Sequence, residues 1–197
     1  VRVMSTIADQ AAIALENTRL YELATIDGLT RLFVRRYFDR RLEEEMSRAA
    51  RYSAEFSVGV LDLDRFKRIN DTHGHPVGDQ VLRAVASAVQ RNMRSADLAG
   101  RYGGEEFALI FPRTGPKAAA QGAERIRADV EALRIQSDQE AVRVTVSIGI
   151  ASYPESGASS ASELVALADR ALYRAKEKGR NRVELASREP ARAIGSG

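Results

Sequence analysis

The sequence predicts an α/β (α+β) fold: a central mixed, largely antiparallel sheet of about five strands flanked by helices, with a long helix in front. Three observations carry this. Strand-like apolar runs are interspersed with stretches whose apolar residues recur every three or four positions. Two of the strand-like runs flank Gly103-Gly104, a pair that can turn a strand back on itself, because glycine tolerates positive φ. The resulting order is strand, helix, helix, hairpin, helix, strand, helix, strand, which indicates one sheet with helices packed on its faces.

Residues 1–25 read as one helix. Met4, Ile7, Ala11, Ala14, Thr18 and Tyr21 make a heptad seam, fit either for a coiled coil or for packing on the helix's own domain. The helical pattern is already running at residue 1, so the sequence reads as a fragment whose upstream sensor or membrane segments are missing. A domain over 26–187 follows, then a small, polar tail over 188–197 that reads as disordered.

Within the domain, a helix is expected over 34–52 with Tyr37, Phe38, Leu42 and Met46 on one side, and Glu43-Glu44-Glu45 as a solvated face. Phe56 to Asp62 is a strand ending in acid. A short helix over 64–72 closes near Gly74, and Pro76 starts a longer one buried through Val81, Leu82, Val85 and Val89. The hairpin covers 97–111. A helix from Pro116 to about Leu133 turns Ala119, Ala123, Ile126 and Val130 inward. Val142 to Ile150 alternates as a strand. Ser162 can cap a helix carrying Leu164, Leu167, Ala168 and Leu172, stopped by Gly179. Arg182 to Leu185 is a short last strand.

The 197 residues are 44% hydrophobic and 29% charged, which suits one globular domain plus an appendage. Net charge is +3, weak support for nucleic-acid binding. The absence of cysteine excludes disulfides, thiolate metal sites and cysteine nucleophiles. Two histidines, His73 and His75, do not make a multi-histidine zinc site. No run reaches the ~18 apolar residues of a membrane helix, and no signal peptide opens the chain.

The chemistry concentrates in acids. Asp62 ends one strand, and Glu105 and Glu106 follow the Gly-Gly turn. Were those strands neighbours, the acids would meet at one sheet edge, where Mg²⁺ takes one or two carboxylates plus phosphate oxygens and water. Glu105 and Glu106 alternate sides of the strand, so only one need face a ligand. Asp64 reads as a helix N-cap rather than a ligand. The helix start after Asp62 offers free N–H groups to phosphate, with Lys67 beside them. Alone, Lys67 reads as a solvated lysine, and Lys176 and Arg180 as partners of a helix dipole. Asn70 and Asp79 are of the type that reads guanine, or separately a helix-end asparagine and a first-turn acid.

Taken together, the motifs say more. The chain resembles the GGDEF-domain diguanylate cyclases over about residues 25–185. The resemblance rests on six blocks: Asp27-Gly-Leu-Thr-Arg-Leu, Leu61 through His75, Gly78-Asp79, Arg101-Tyr-Gly-Gly-Glu-Glu-Phe, Val144 through Ile150, and Ala168 through Asn181. It implies a sheet similar to nucleotidyl cyclase and polymerase palm domains, condensation of two GTP into cyclic di-GMP, and a homodimer for turnover. It implies Mg²⁺, or Mn²⁺ in its place, two per half-site. Asp62 and Glu106, with the Leu63 carbonyl, match the metal ligands. Glu105 matches the position that handles the attacking hydroxyl or a second metal. Phe66, Lys67, Lys176 and Arg180 match phosphate binders, Asn70 and Asp79 guanine readers, and Gly103 and Gly104 the turn against the nucleotide. Arg94 and Asp97 match the family's inhibitory product site, with Arg125 or Arg127 completing it. Val34 departs from the family, which usually has asparagine there. The opening helix resembles the last helix of GAF sensor domains.

The resemblance implies a cytoplasmic protein with no nucleic-acid partner and no membrane contact from this segment. Two rivals are weighed beside it: a cyclic di-GMP receptor without catalysis, and a nucleic-acid-binding protein suggested only by the pI of about 9.4.

Overall fold

A computed structural model describes residue 16 and residues 24–137 and 141–187 of the chain. The expected helix over 1–25 and tail over 188–197 lie almost wholly outside the described residues.

Six strands form one sheet: β1 (Phe33–Val34), β2 (Phe56–Leu63), β3 (Leu98–Arg101), β4 (Glu106–Pro112), β5 (Val146–Tyr153) and β6 (Val183–Leu185). Their order across the sheet is β1-β3-β4-β2-β5-β6. The four inner strands pair antiparallel, and the two edge strands pair parallel. The sixth strand, β1, was not expected. At two residues it is too short to show alternation, and its Val34 had been placed at a helix start.

The helices are α1 (Arg35–Tyr52), α2 (Phe66–His73), α3 (His75–Asn92), α4 (Pro116–Ala132) and α5 (Ala161–Glu177). Each apolar stripe faces the sheet. On one side α3 and α4 bury Val81, Val85, Val89, Ala123, Ile126 and Val130 against Leu61, Leu63, Phe107, Leu109 and Ile148. On the other, α1 and α5 bury Phe38, Leu42, Leu164, Ala168 and Leu172 against Phe56, Val58, Val60 and Ile110. Strand β2 thus splits its side chains between two cores by period-two alternation, each large apolar side chain contributing roughly 1.5–3 kcal/mol. Its eight residues are all buried.

Two expectations are corrected. The strand begins at Val146, not Val142, because β2 ends opposite it at Leu63 and leaves 142–145 no ladder to join. Val142 instead exchanges backbone hydrogen bonds with Ile135, at 2.8 and 3.1 Å. The cap of α5 is Ser160, not Ser162. The Ser160 hydroxyl accepts from the Glu163 N–H, and the Glu163 carboxylate accepts from Ser159 N–H and hydroxyl at 2.8 Å each. These reciprocal bonds satisfy the helix's first donors.

Helix α5 sits very close to β5. A Cβ at Gly149 would collide with the main chain of Ala168, Ala171 and Leu172, so only glycine admits the helix here. This contact sets where the C-terminal end of α5 falls.

Candidate active site at the ends of the central strands

Strands β2 and β4 are in register so that Asp62 lies directly opposite Glu106. The two acids are therefore cross-strand neighbours, at the sheet edge where the sequence predicted a meeting. The connection between β3 and β4 is tight: the Tyr102 and Gly103 N–H groups both donate to the Glu106 carbonyl, at 2.7 and 3.2 Å. Neither Gly103 nor Gly104 has positive φ, so the turn does not use the freedom that the sequence suggested. Gly103 is required for a different reason. A Cβ on it would lie 2.6 Å from Glu106 Oε2, so the missing side chain makes room for that carboxylate. Glu105 stands in the turn before β4, and its carbonyl accepts from Leu63 N–H at 3.3 Å.

Asp62 is buried, and Lys176 Nζ from α5 approaches its Oδ1 at 2.9 Å. Burial raises the Asp62 carboxyl above its ordinary range. The lysine opposes that rise, and Glu106 and Asp64 reinforce it. Glu105 is raised as well, first by burial and then by the charge of Asp62. The groups offered here are hard carboxylate oxygens, the kind that suits Mg²⁺. Among the described residues no three acids or histidines gather closely enough to hold a metal by themselves. The two opposed carboxylates would leave the other coordination positions to ligand oxygens and water.

Beyond Asp62 the chain turns through Arg65, which is left-handed at φ 58°, into α2. Phe66 is buried and anchors the helix start, and Lys67 is exposed beside it. Asn70 and Asp79 come from α2 and α3. Asn70 Oδ1 is buried without a hydrogen-bond partner, against Gly78, where any Cβ would collide with it. A buried amide oxygen left open in this way is an acceptor waiting for a donor.

The structure separates Lys176 from Arg180. Lys176 reaches the acids, whereas Arg180, left-handed at φ 64°, lines a cleft on another side of α2. Arg94, Asp97 and Arg125 line one small pocket with Phe111 and Thr114, and the Arg94 N–H donates to Asp97 Oδ2 at 2.8 Å. Arg127 faces elsewhere, bonding Glu131 and Asn181.

Asp64 is not the N-cap that the sequence suggested, since α2 has no side-chain cap. Its buried carboxylate accepts from Thr145 Oγ1 and Ser147 Oγ, both at 2.7 Å, and from Asn181 N–H at 3.0 Å. It ties the end of β2 to β5 and to the loop after α5. Asn181 Oδ1 in turn accepts from Arg127 at 2.7 Å.

Two further residues were not given roles from sequence. Asp27 accepts from the Thr30 N–H at 2.8 Å and hydroxyl at 2.6 Å, and from Arg101 at 3.2 Å. Arg101 also donates to the Gly104 carbonyl at 2.8 Å, so the Gly-Gly turn is braced to the first loop. Burial alone would raise Asp27, but the Thr30 and Arg101 bonds outweigh it and hold the carboxyl below its ordinary value. An aspartate three residues before a threonine is the available sequence signal for such a loop.

Comparison with known proteins places this geometry. The family model described as diguanylate cyclase, GGDEF domain, matches residues 24–182. Diguanylate cyclase A of Treponema denticola is 42% identical over 186 residues, which cover 93% of this chain and 50% of that protein. Diguanylate cyclase DosC of Escherichia coli is 40% identical over 161 residues, 81% of this chain and 35% of that protein. The chain therefore spans half or less of these curated relatives. Among solved structures, the coiled coil and GGDEF domain of DgcB from Caulobacter crescentus in complex with c-di-GMP aligns at TM-score 0.86 and 37% identity, covering 94% of this chain and 97% of that one. The active GGEEF domain of a diguanylate cyclase from Vibrio cholerae aligns at TM-score 0.74 and 31% identity, covering 79% and 98%. With its Gly-Gly-Glu-Glu-Phe turn and opposed acids inside the matched span, this chain belongs to the diguanylate cyclase GGDEF-domain family.

Proposed function

We propose that the chain is the catalytic part of a diguanylate cyclase, which joins two GTP into cyclic di-GMP and releases two pyrophosphates. The observation that carries this is the register pairing of Asp62 with Glu106 beside Gly103. Family membership and relatives named as cyclases support it.

In this reading each domain binds one GTP. Asn70 and Asp79 hold guanine, the buried Asn70 Oδ1 accepting a base N–H. The α2 N-terminus with Phe66 and Lys67, and Lys176 and Arg180, receive the phosphates, and Gly103 and Gly104 let the nucleotide lie against the turn. Asp62, Glu106 and the Leu63 carbonyl hold Mg²⁺, or Mn²⁺ in its place, with Glu105 toward a second ion. The metal supplies charge stabilisation at the phosphate oxygens. Lys176, now bonded to Asp62, is free to move to phosphate when that acid is otherwise neutralised. The 3′-oxygen of one GTP forms a bond to the α-phosphorus of the other while the bond to pyrophosphate breaks. Glu105 takes the hydroxyl proton, a step worth about 10²–10⁴-fold. A second equivalent transfer closes the ring.

One domain carries half of the reacting pair, so a homodimer is required. Residues 1–25 serve as a coiled-coil seam continuing from a GAF-type sensor. The DgcB structure, which contains a coiled coil, covers 94% of this chain and supports the coiled-coil part of that reading. The pocket of Arg94, Asp97 and Arg125 binds product and inhibits; complexes of DgcB with c-di-GMP support a product-binding relative. The reaction belongs in the cytoplasm, where GTP is available. Among the described residues no helix is long and apolar enough to cross a membrane.

The test is incubation with GTP and Mg²⁺, followed by nucleotide chromatography over a range of protein concentrations. Cyclic di-GMP and pyrophosphate are expected, at a rate per chain that rises with concentration. Glu106→Ala should abolish product. Arg94→Ala should keep synthesis and relieve product inhibition. Binding of cyclic di-GMP with no synthesis would instead make this domain a receptor.

A further inference from the structure

A cleft of about 580 Å³ opens between α2, the segment 141–145 and the loop 179–181. Arg65, Arg68, Arg143 and Arg180 line it, with His73, and all four arginines are exposed. Among the described residues its one lining carboxylate is Asp64, which is buried and already accepts three hydrogen bonds. Arg41, Arg91, Arg101 and Arg127 each pair with an acid elsewhere in the domain. Arg65, Arg68, Arg143 and Arg180 form no ion pair among the described residues.

The cleft lies on a different face of α2 from the nucleotide reading. Arg65, Arg68, Ile69, Thr72 and His73 follow the three-and-four spacing of one helix face and line the cleft. Lys67 and Asn70 are not part of that lining. Two of the arginines, Arg65 and Arg180, sit in left-handed backbone at φ 58° and 64°, a conformation side-chain-bearing residues seldom adopt. The Asp64 bond to Asn181 N–H anchors the main chain next to the second of these, at the cleft wall.

Among the described residues four arginines line one concavity against one saturated carboxylate, an arrangement that suits a compact ligand with several negative charges. Arginine forks match phosphate oxygens in pairs. A nucleic-acid strand fits less well, since no Phe, Tyr or Trp among the described residues lines the cleft for base stacking. We propose that this cleft is a second anion site that binds a diphosphate, and specifically the pyrophosphate released by the reaction. The choice of pyrophosphate rests on the proposed cyclase reading; the site itself stands on Arg65, Arg68 and Arg143, which that reading does not use. Arg180, at its rim, is the one residue shared with the nucleotide's phosphates.

The experiment is calorimetric titration of the whole chain with inorganic pyrophosphate, in the presence of a saturating non-hydrolysable GTP analogue. One pyrophosphate per chain is expected to bind with the analogue in place. Arg68→Ala/Arg143→Ala should weaken it tenfold or more, and each single variant severalfold, while the initial rate of cyclic di-GMP synthesis is unchanged. Lys67→Ala should leave this binding intact. Absence of binding, loss of binding once the analogue is added, unchanged affinity in the double variant, or tighter binding of random duplex DNA than of pyrophosphate would each overturn the proposal. Failure of the cyclase reading gives a separate result, since a domain that makes no cyclic di-GMP would still bind pyrophosphate through these arginines.

Discussion

Asp62 is the residue on which the most opposing influences converge. Burial and neighbouring acids disfavour its charge, and Lys176 across 2.9 Å offsets only part of that. Replacing Lys176 by Met should lower stability at neutral pH by about 1–2 kcal/mol, toward or below the low end for a hydrogen bond to a charged group because the lysine is partly exposed, read by urea unfolding. Asp27 shows the opposite electrostatic sign. Its folded pKa lies below the ordinary 3.8, so its contribution is fully present above pH 3.8 and is lost as pH falls through the lower folded value. Asp27→Asn should therefore flatten the acid limb of a stability-against-pH curve. It should also cost about 1–2 kcal/mol at pH 7 and, on the proposed reading, slow synthesis, because Arg101 would no longer brace the Gly-Gly turn. At this scale the acids were legible, since two carboxylates beside a Gly-Gly pair have no role in making a turn. Asp64 was not. Its immediate neighbours suggest a helix cap, but its partners Thr145, Ser147 and Asn181 lie 81, 83 and 117 residues away.

Helices and inner strands were largely legible because their apolar spacing is set by the sheet they cover. What the spacing could not show was how closely an element approaches. Gly149 sits in an ordinary alternating strand, yet it is where the backbone of α5 rests on β5. Gly149→Ala should destabilise the domain by about 1–3 kcal/mol or more through overpacking, visible as a lowered thermal midpoint. The displaced helix would also carry Lys176 away from Asp62, so the surviving folded fraction should have reduced turnover. Gly103 is the milder case, because the atom it accommodates is the end of the Glu106 side chain. Gly103→Ala should leave the unfolding free energy within about 0.5 kcal/mol of the parent while impairing synthesis, since it shifts a carboxylate rather than a backbone. Val142 and Val144 misled for the converse reason: their alternation is that of a strand, but β2 ends too early to pair with them.

For the whole molecule, the expected dependence on a second copy can be measured without altering any residue. Turnover per chain should rise with protein concentration and level off, and a constant value across that range would remove the need for a dimer. The topology also constrains how two copies can meet. Both rims of the sheet are stubs, β1 with two residues and β6 with three, and the long strands are all interior. Short rims give another chain few backbone groups to grip, so copies have little means of zipping into a continuous ribbon. Any encounter between copies is thereby steered to side-chain surfaces, where it can be reversible, and the domain stays clear of the strand-on-strand association that ends in aggregates.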